Sequence, residues 1–119
     1  MSRPSRHRSL VLTADLLRLY SRRGNYHSDP DAAADIGYTR LVAQGMQVAG
    51  PAYGLLLDEW GDDFLAHGAI DLKFVGMVTD GETVEATVVP SETDEAEIVV
   101  TVADRTAVVG RAVRRTRSA

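Results

Sequence analysis

The chain has 119 residues, 45% of them hydrophobic, enough for one core and one domain but not for two. The absence of cysteine excludes disulfides, thiolate metal sites and cysteine nucleophiles, and makes a cytoplasmic location the expectation. The net charge of −4 is unevenly spread. Arg3, Arg6 and Arg8 at one end and Arg111, Arg114, Arg115 and Arg117 at the other flank an acidic middle, where Asp58 to Glu97 carry twelve carboxylates against Lys73 alone. That balance argues against nucleic acid as a partner of the domain body.

In chain order, residues 1–8 read as a basic, frayed end, as do residues 115–119. The apolar run Leu10 to Leu12 is too short for a signal peptide or a membrane span, so no membrane partner is expected. Thr13 followed by Ala14 to Tyr20 predicts an N-capped helix with Leu16, Leu19 and Tyr20 on one face, ending near Gly24. Asp29-Pro30 predicts a second helix start, closed by Gly37. Met46 to Trp60 is apolar around most of its circumference and predicts a buried helix, with Pro51 kinking it or delaying its start to near Gly50.

From Gly68 onward the period becomes alternating. Gly68 to Phe74, Thr83 to Val89, Glu97 to Val102 and Thr106 to Val113 predict four consecutive strands in an antiparallel meander, to which Ser9 to Leu12 offers a fifth. Helices first and strands after make an α+β domain spanning 1–119, a sheet curled around one buried helix.

Three motifs in register then resemble one family. Asn25-Tyr26-His27-Ser28-Asp29 is similar to the Asn-Pro-Ile/Leu-His-x-Asp of the MaoC-like hotdog proteins, which include (R)-specific enoyl-thioester hydratases and β-hydroxyacyl dehydratases. Leu41-Val42-Ala43-Gln44-Gly45-Met46 is similar to their Ile-Val-His-Gly-Met. The segment from His67 through Val75, with Asp80-Gly81-Glu82-Thr83-Val84, resembles their Phe-x-x-Pro-Val-x-x-Gly-Asp-Thr-Val. The resemblance covers nearly the whole chain. It implies a hotdog fold, a homodimer, and an enoyl or β-hydroxyacyl thioester of coenzyme A or an acyl carrier protein as substrate, with the pantetheine arm near the subunit boundary. No separate cofactor and no metal are implied.

Under this resemblance His27 is the acid–base residue, an imidazole being the side chain that titrates near neutrality. Gly45 precedes the buried helix, where a backbone amide with no side chain in the way faces a carbonyl oxygen that gains negative charge. Asn25 or Tyr26 orients water, and Gln44, Met46 and Asp29 line the substrate, although helix capping alone already accounts for Asp29. His7 and His67 have no motif around them and read as structural or exposed.

Two departures stand out. The family pairs its histidine with an aspartate five residues earlier, a position held here by Arg22, and a one-residue shift offers only Ser21 or Arg23. Its histidine before the glycine is replaced by Gln44. Hydration of a double bond therefore competes with addition of an amine, whose carboxylate, in an amino acid, Arg22 or Arg23 would grip. Thioester hydrolysis using Asp58 or Glu59, and a silent acyl-binding subunit, complete the alternatives. The small residues Ala49, Gly50, Ala52 and Gly54 leave room beside the helix for an acyl chain or for close packing.

Overall fold

The computed structural model describes residues 4–21 and 24–115. Strand β1 (Arg6–Leu12) is followed by helices α1 (Ala14–Tyr20), α2 (Pro30–Asp35), α3 (Gly45–Trp60) and α4 (Asp62–His67), then by strands β2 (Gly68–Phe74), β3 (Glu82–Pro90), β4 (Glu95–Val102) and β5 (Arg105–Arg114). All five strands form one antiparallel sheet in the order β1-β3-β4-β5-β2. The sheet packs on α3, the hotdog arrangement expected of the chain.

Alternation drives this packing. In β3 and β4 every second residue is buried, so Val84, Ala86, Val88, Ala96, Ile98, Val100 and Val102 face the helix. From α3, Val48, Ala52, Leu55 and Leu56 meet them. In β5 the alternation breaks at a bulge opposite Val100 and Thr101, which turns both Ala107 and Val108 inward.

The local signals resolve as their chemistry requires. The Thr13 hydroxyl accepts from the Leu16 amide and starts α1. Asp29 accepts from the Asp31 amide and starts α2, with Pro30 in the first turn and Gly37, at φ 92°, after its end.

Several expectations are corrected. β2 is not the first strand of a meander; it lies beyond β5 at the sheet edge, because α4, which the sequence reading missed, carries the chain across before it turns back. In α1 the buried residue is Leu17, with Leu16 half-buried and Ser21 buried at the C-cap, while Leu19 and Tyr20 are exposed and the helix stops at Tyr20 rather than near Gly24. α3 starts at Gly45, not near Gly50, and accommodates Pro51 as a buried interior residue.

Residues 6–8 are not frayed but belong to β1, paired with β3. Their arginines reach α3: Arg6 Nε donates to Glu59 at 2.6 Å and Arg8 donates to Asp58 at 2.6 Å. Gly54 leaves the space in which the Arg8 guanidinium lies. Gly54→Ala gains about 1 kcal/mol of helix propensity and loses an exposed ion pair worth about 0–1 kcal/mol, so the two nearly cancel. In an Arg8→Ala background the same substitution should stabilise by about 1 kcal/mol, a difference that a double-mutant cycle in urea would read.

Candidate active site

The site is built where the loop after α1 meets the start of α3. Asn25 organises the loop: its backbone carbonyl accepts from the Ser28 and Asp29 amides at 3.0 and 2.8 Å, and its Oδ1 accepts from the His27 amide at 3.0 Å. These bonds form a compact turn that leads into α2. Tyr26 lies against the His27 ring, with centroids 3.9 Å apart.

His27 Nδ1 lies 2.6 Å from the Val42 carbonyl oxygen. A carbonyl oxygen only accepts, so Nδ1 carries the proton and the neutral ring has its lone pair on Nε2. Nε2 has no protein partner among the described residues. Since no buried side-chain nitrogen or oxygen among them lacks a partner, Nε2 opens to solvent.

Val42 is held firmly for this task. Its amide donates to the Tyr26 carbonyl at 3.2 Å, it bridges to Thr79, and the neighbouring Ala43 amide donates to Val78 at 2.8 Å. Glu82 braces the other side, accepting from the Thr79 amide and hydroxyl, both at 3.0 Å, and from Arg105 at 2.7 Å. Burial pushes the Glu82 carboxyl up, but the bonds from Thr79 and Arg105 outweigh it and hold the group below the ordinary glutamate value.

A carboxyl with a lowered folded pKa stabilises the fold above its unfolded value, and that stability is lost as pH falls through the folded one. Glu82→Gln should therefore lower the melting temperature at pH 7. The gap to wild type should close below about pH 4.3, as melting curves between pH 7 and 3 would show.

Three residues beyond Val42, α3 begins. Its first returning amides are those of Gln47 and Val48, both bonded to the Gln44 carbonyl, so the Gly45 and Met46 N–H groups have no acceptor among the described residues. No acidic side chain occupies the first turn. The helix N-terminus therefore presents free donors and a positive dipole end. Gly45 is glycine for a packing reason as well: a Cβ there would lie 2.8 Å from the Phe74 ring, which covers the helix start. Met46 is half-exposed beside it.

Of the residues expected at the site, His27, Asn25, Tyr26, Gln44, Gly45 and Met46 are thus gathered by one loop and one helix start. Asp29 is occupied as the cap of α2. Arg22 and Arg23 lie outside the described residues. Asp58 and Glu59 are paired with Arg8 and Arg6. His7 bonds to the Thr87 side chain, and the carbonyl of His67 accepts from Arg115.

Sequence reasoning met Ser21 only as a shifted counterpart of the family aspartate and gave no site role to Val42 or Phe74. Ser21 had a signal, a small polar residue four before Asn25. Val42 had none, because its contribution is a backbone carbonyl.

The family model of the MaoC like domain matches residues 3–110. The chain belongs to the MaoC-like domain family. No curated protein sequence matches it. Among solved structures, this MaoC-like domain is similar to the (R)-hydratase from A. caviae involved in PHA biosynthesis, at 22% identity and a TM-score of 0.73 over 95% of this chain and 94% of that one. It is also similar to the C-terminally truncated HadBC (3R-hydroxyacyl-ACP dehydratase) complex from Mycobacterium tuberculosis, at 19% identity and a TM-score of 0.66 over 93% and 90%. A third likeness is to the ChsH1-ChsH2 complex from the same organism, at 15% identity and a TM-score of 0.73 over 97% and 98%. At these identities the structural likeness speaks for the fold of the MaoC-like domain.

Proposed function

We propose that this MaoC-like domain is a hydro-lyase that adds water to, or removes it from, an acyl thioester, with His27 as its acid–base residue. The observation that carries the reading is the His27–Val42 bond, which leaves the Nε2 lone pair without a protein partner; Val42 stands three residues before Gly45, whose amide, with that of Met46, has no acceptor among the described residues. In hydration, Nε2 takes a proton from water as the water oxygen bonds to Cβ. The electron pair of the double bond moves through Cα to the carbonyl oxygen, where the Gly45 and Met46 amides hold the negative charge. The imidazolium then gives its proton to Cα, the carbonyl re-forms, and the ring returns to neutrality.

The neighbours' printed names favour this substrate class: one is an (R)-hydratase and another a 3R-hydroxyacyl-ACP dehydratase. Coenzyme A or phosphopantetheine would then enter as part of the substrate, with no separate cofactor. An acyl carrier protein would be a partner only where it bears the thioester. A homodimer fits the half-exposed Phe74, Val75 and Met77 at the end of the edge strand β2, a face that a second copy would cover. Among the described residues no helix is long and apolar enough to cross a membrane.

A second reading keeps the thioester and replaces water by an amine. It is favoured by one observation: the partner orienting His27 is a carbonyl, and no carboxylate among the described residues bonds to the ring. An amine needs less activation than water. Thioester hydrolysis is less favoured, because Asp58 and Glu59 are engaged by arginines.

Incubation with crotonyl-coenzyme A, with and without glycine, followed by mass spectrometry of the products, tests these readings. A hydrated thioester in the absence of glycine supports the hydro-lyase, and a glycine adduct without hydration supports the second reading. Free thiol points to hydrolysis, and unchanged substrate to an acyl-binding subunit.

A further inference from the structure

We propose that Ser21 and Gln44 form a neutral relay that aims the Asn25 side-chain amide at the oxygen being added or removed, an inference that rests on the hydro-lyase reading. Ser21 is the only buried polar residue among the described ones, at 9% exposure. A buried hydroxyl requires partners. Its Oγ accepts from Gln44 Nε2 at 3.0 Å and donates to Asn25 Oδ1 at 3.1 Å.

The same Oδ1 takes the His27 amide at 3.0 Å and the Ser28 hydroxyl at 3.3 Å. The His27 backbone N–H can only donate, so the atom that receives it is the oxygen, and Nδ2 is turned the other way. Nδ2 has no acceptor among the described residues, and no buried polar atom among them lacks a partner, so it opens to solvent. Asn25 and His27 thus leave one turn with one free donor, Nδ2, and one free acceptor, Nε2.

These two atoms divide the handling of a single oxygen. In hydration the amide donates into one lone pair of the water while Nε2 takes its proton. In dehydration the amide holds the departing oxygen as negative charge grows on it and the imidazolium delivers the proton that makes it water. A carboxylate would grip the same oxygen by accepting from it; this chain grips it by donating.

The relay runs in one direction, from the Gln44 amide to the Ser21 hydroxyl to the Asn25 carbonyl oxygen, and such chains strengthen the terminal donor. Gln44 also forgoes a local role. It is the N-cap residue of α3, yet its side chain makes no capping bond and reaches to Ser21 instead. Ser21 and Gln44 are positioning residues; Asn25 is the one that touches substrate.

With crotonyl-coenzyme A, Asn25→Asp is expected to lower kcat about 100-fold, the usual scale for loss of one aimed donor. Ser21→Ala should lower kcat about 10-fold with KM within about two-fold, and Ser21→Thr, which keeps the hydroxyl, should restore most of the loss. An unchanged kcat in Ser21→Ala, or no rescue by threonine, overturns the relay.

A second measurement does not depend on turnover. In 15N-labelled protein titrated with 3-hydroxybutyryl-coenzyme A, the Asn25 side-chain NH2 signals, assigned by their loss in Asn25→Asp, should shift together with the His27 ring nitrogens. A shift at His27 without one at Asn25 overturns the relay and leaves the hydro-lyase reading standing. Absence of both shifts, with crotonyl-coenzyme A left unchanged, overturns the hydro-lyase reading and the relay with it.

Discussion

His27→Ala is expected to lower kcat/KM for crotonyl-coenzyme A hydration by a factor of about 100 to 10,000, the range for a positioned acid–base group. It should do so without unfolding the protein. The ring is only partly buried and is held by one side-chain bond, while the Tyr26 carbonyl bond to Val42 and the Asn25 turn remain. Loss of the enoyl absorbance with time reads the rate, and a melting curve reads the fold. Retained turnover in a folded variant would remove His27 from the reaction. A glutamine at the same position keeps a donor toward Val42 but supplies no base, so it should be as inactive as alanine.

The largest effect on stability is expected in the core face of α3. Leu56 is fully buried there, and Leu56→Ala should cost about 3 kcal/mol, the middle of the range for a leucine truncation that leaves a cavity. For a domain of this size that lowers the melting temperature by about 10 °C. Leu65 in α4 is 72% exposed, and Leu65→Ala should change stability by less than about 0.5 kcal/mol. Equal losses at the two positions would contradict the helix orientation. Paired melting curves decide it.

The sequence made the local elements legible because their signals are local. Thr13 and Asp29 are caps whose bonds span two or three residues, and the alternation in β3 and β4 needs no partner to be seen. Long-range pairing was not readable: nothing in residues 68–74 tells them to bond to β5 rather than to β3. The arginines of β1 read as solvated ends, because their carboxylate partners stand some fifty residues further on, in α3.

At the site, His27 and Gly45 were found through motif resemblance. Their surroundings were only half visible. Gln44 registered as a departure from the family pattern, and its bond to Ser21 emerges only when α1 is laid beside the start of α3. The group that orients His27 belongs to the main chain, which every residue type carries alike.

The strand order has a consequence for how the protein acquires its shape. β1 bonds in the sheet only to β3, which follows it in the chain after α1 to α4 and β2. During synthesis the segment Ser9 to Leu12 therefore waits, unpaired and partly apolar, until Glu82 to Pro90 has left the ribosome. A topology that closes its opening segment so late refolds slowly and is vulnerable to sticking while it waits. The positive charges of Arg6 and Arg8 beside that segment would help keep waiting chains apart until α3 supplies the carboxylates that receive them.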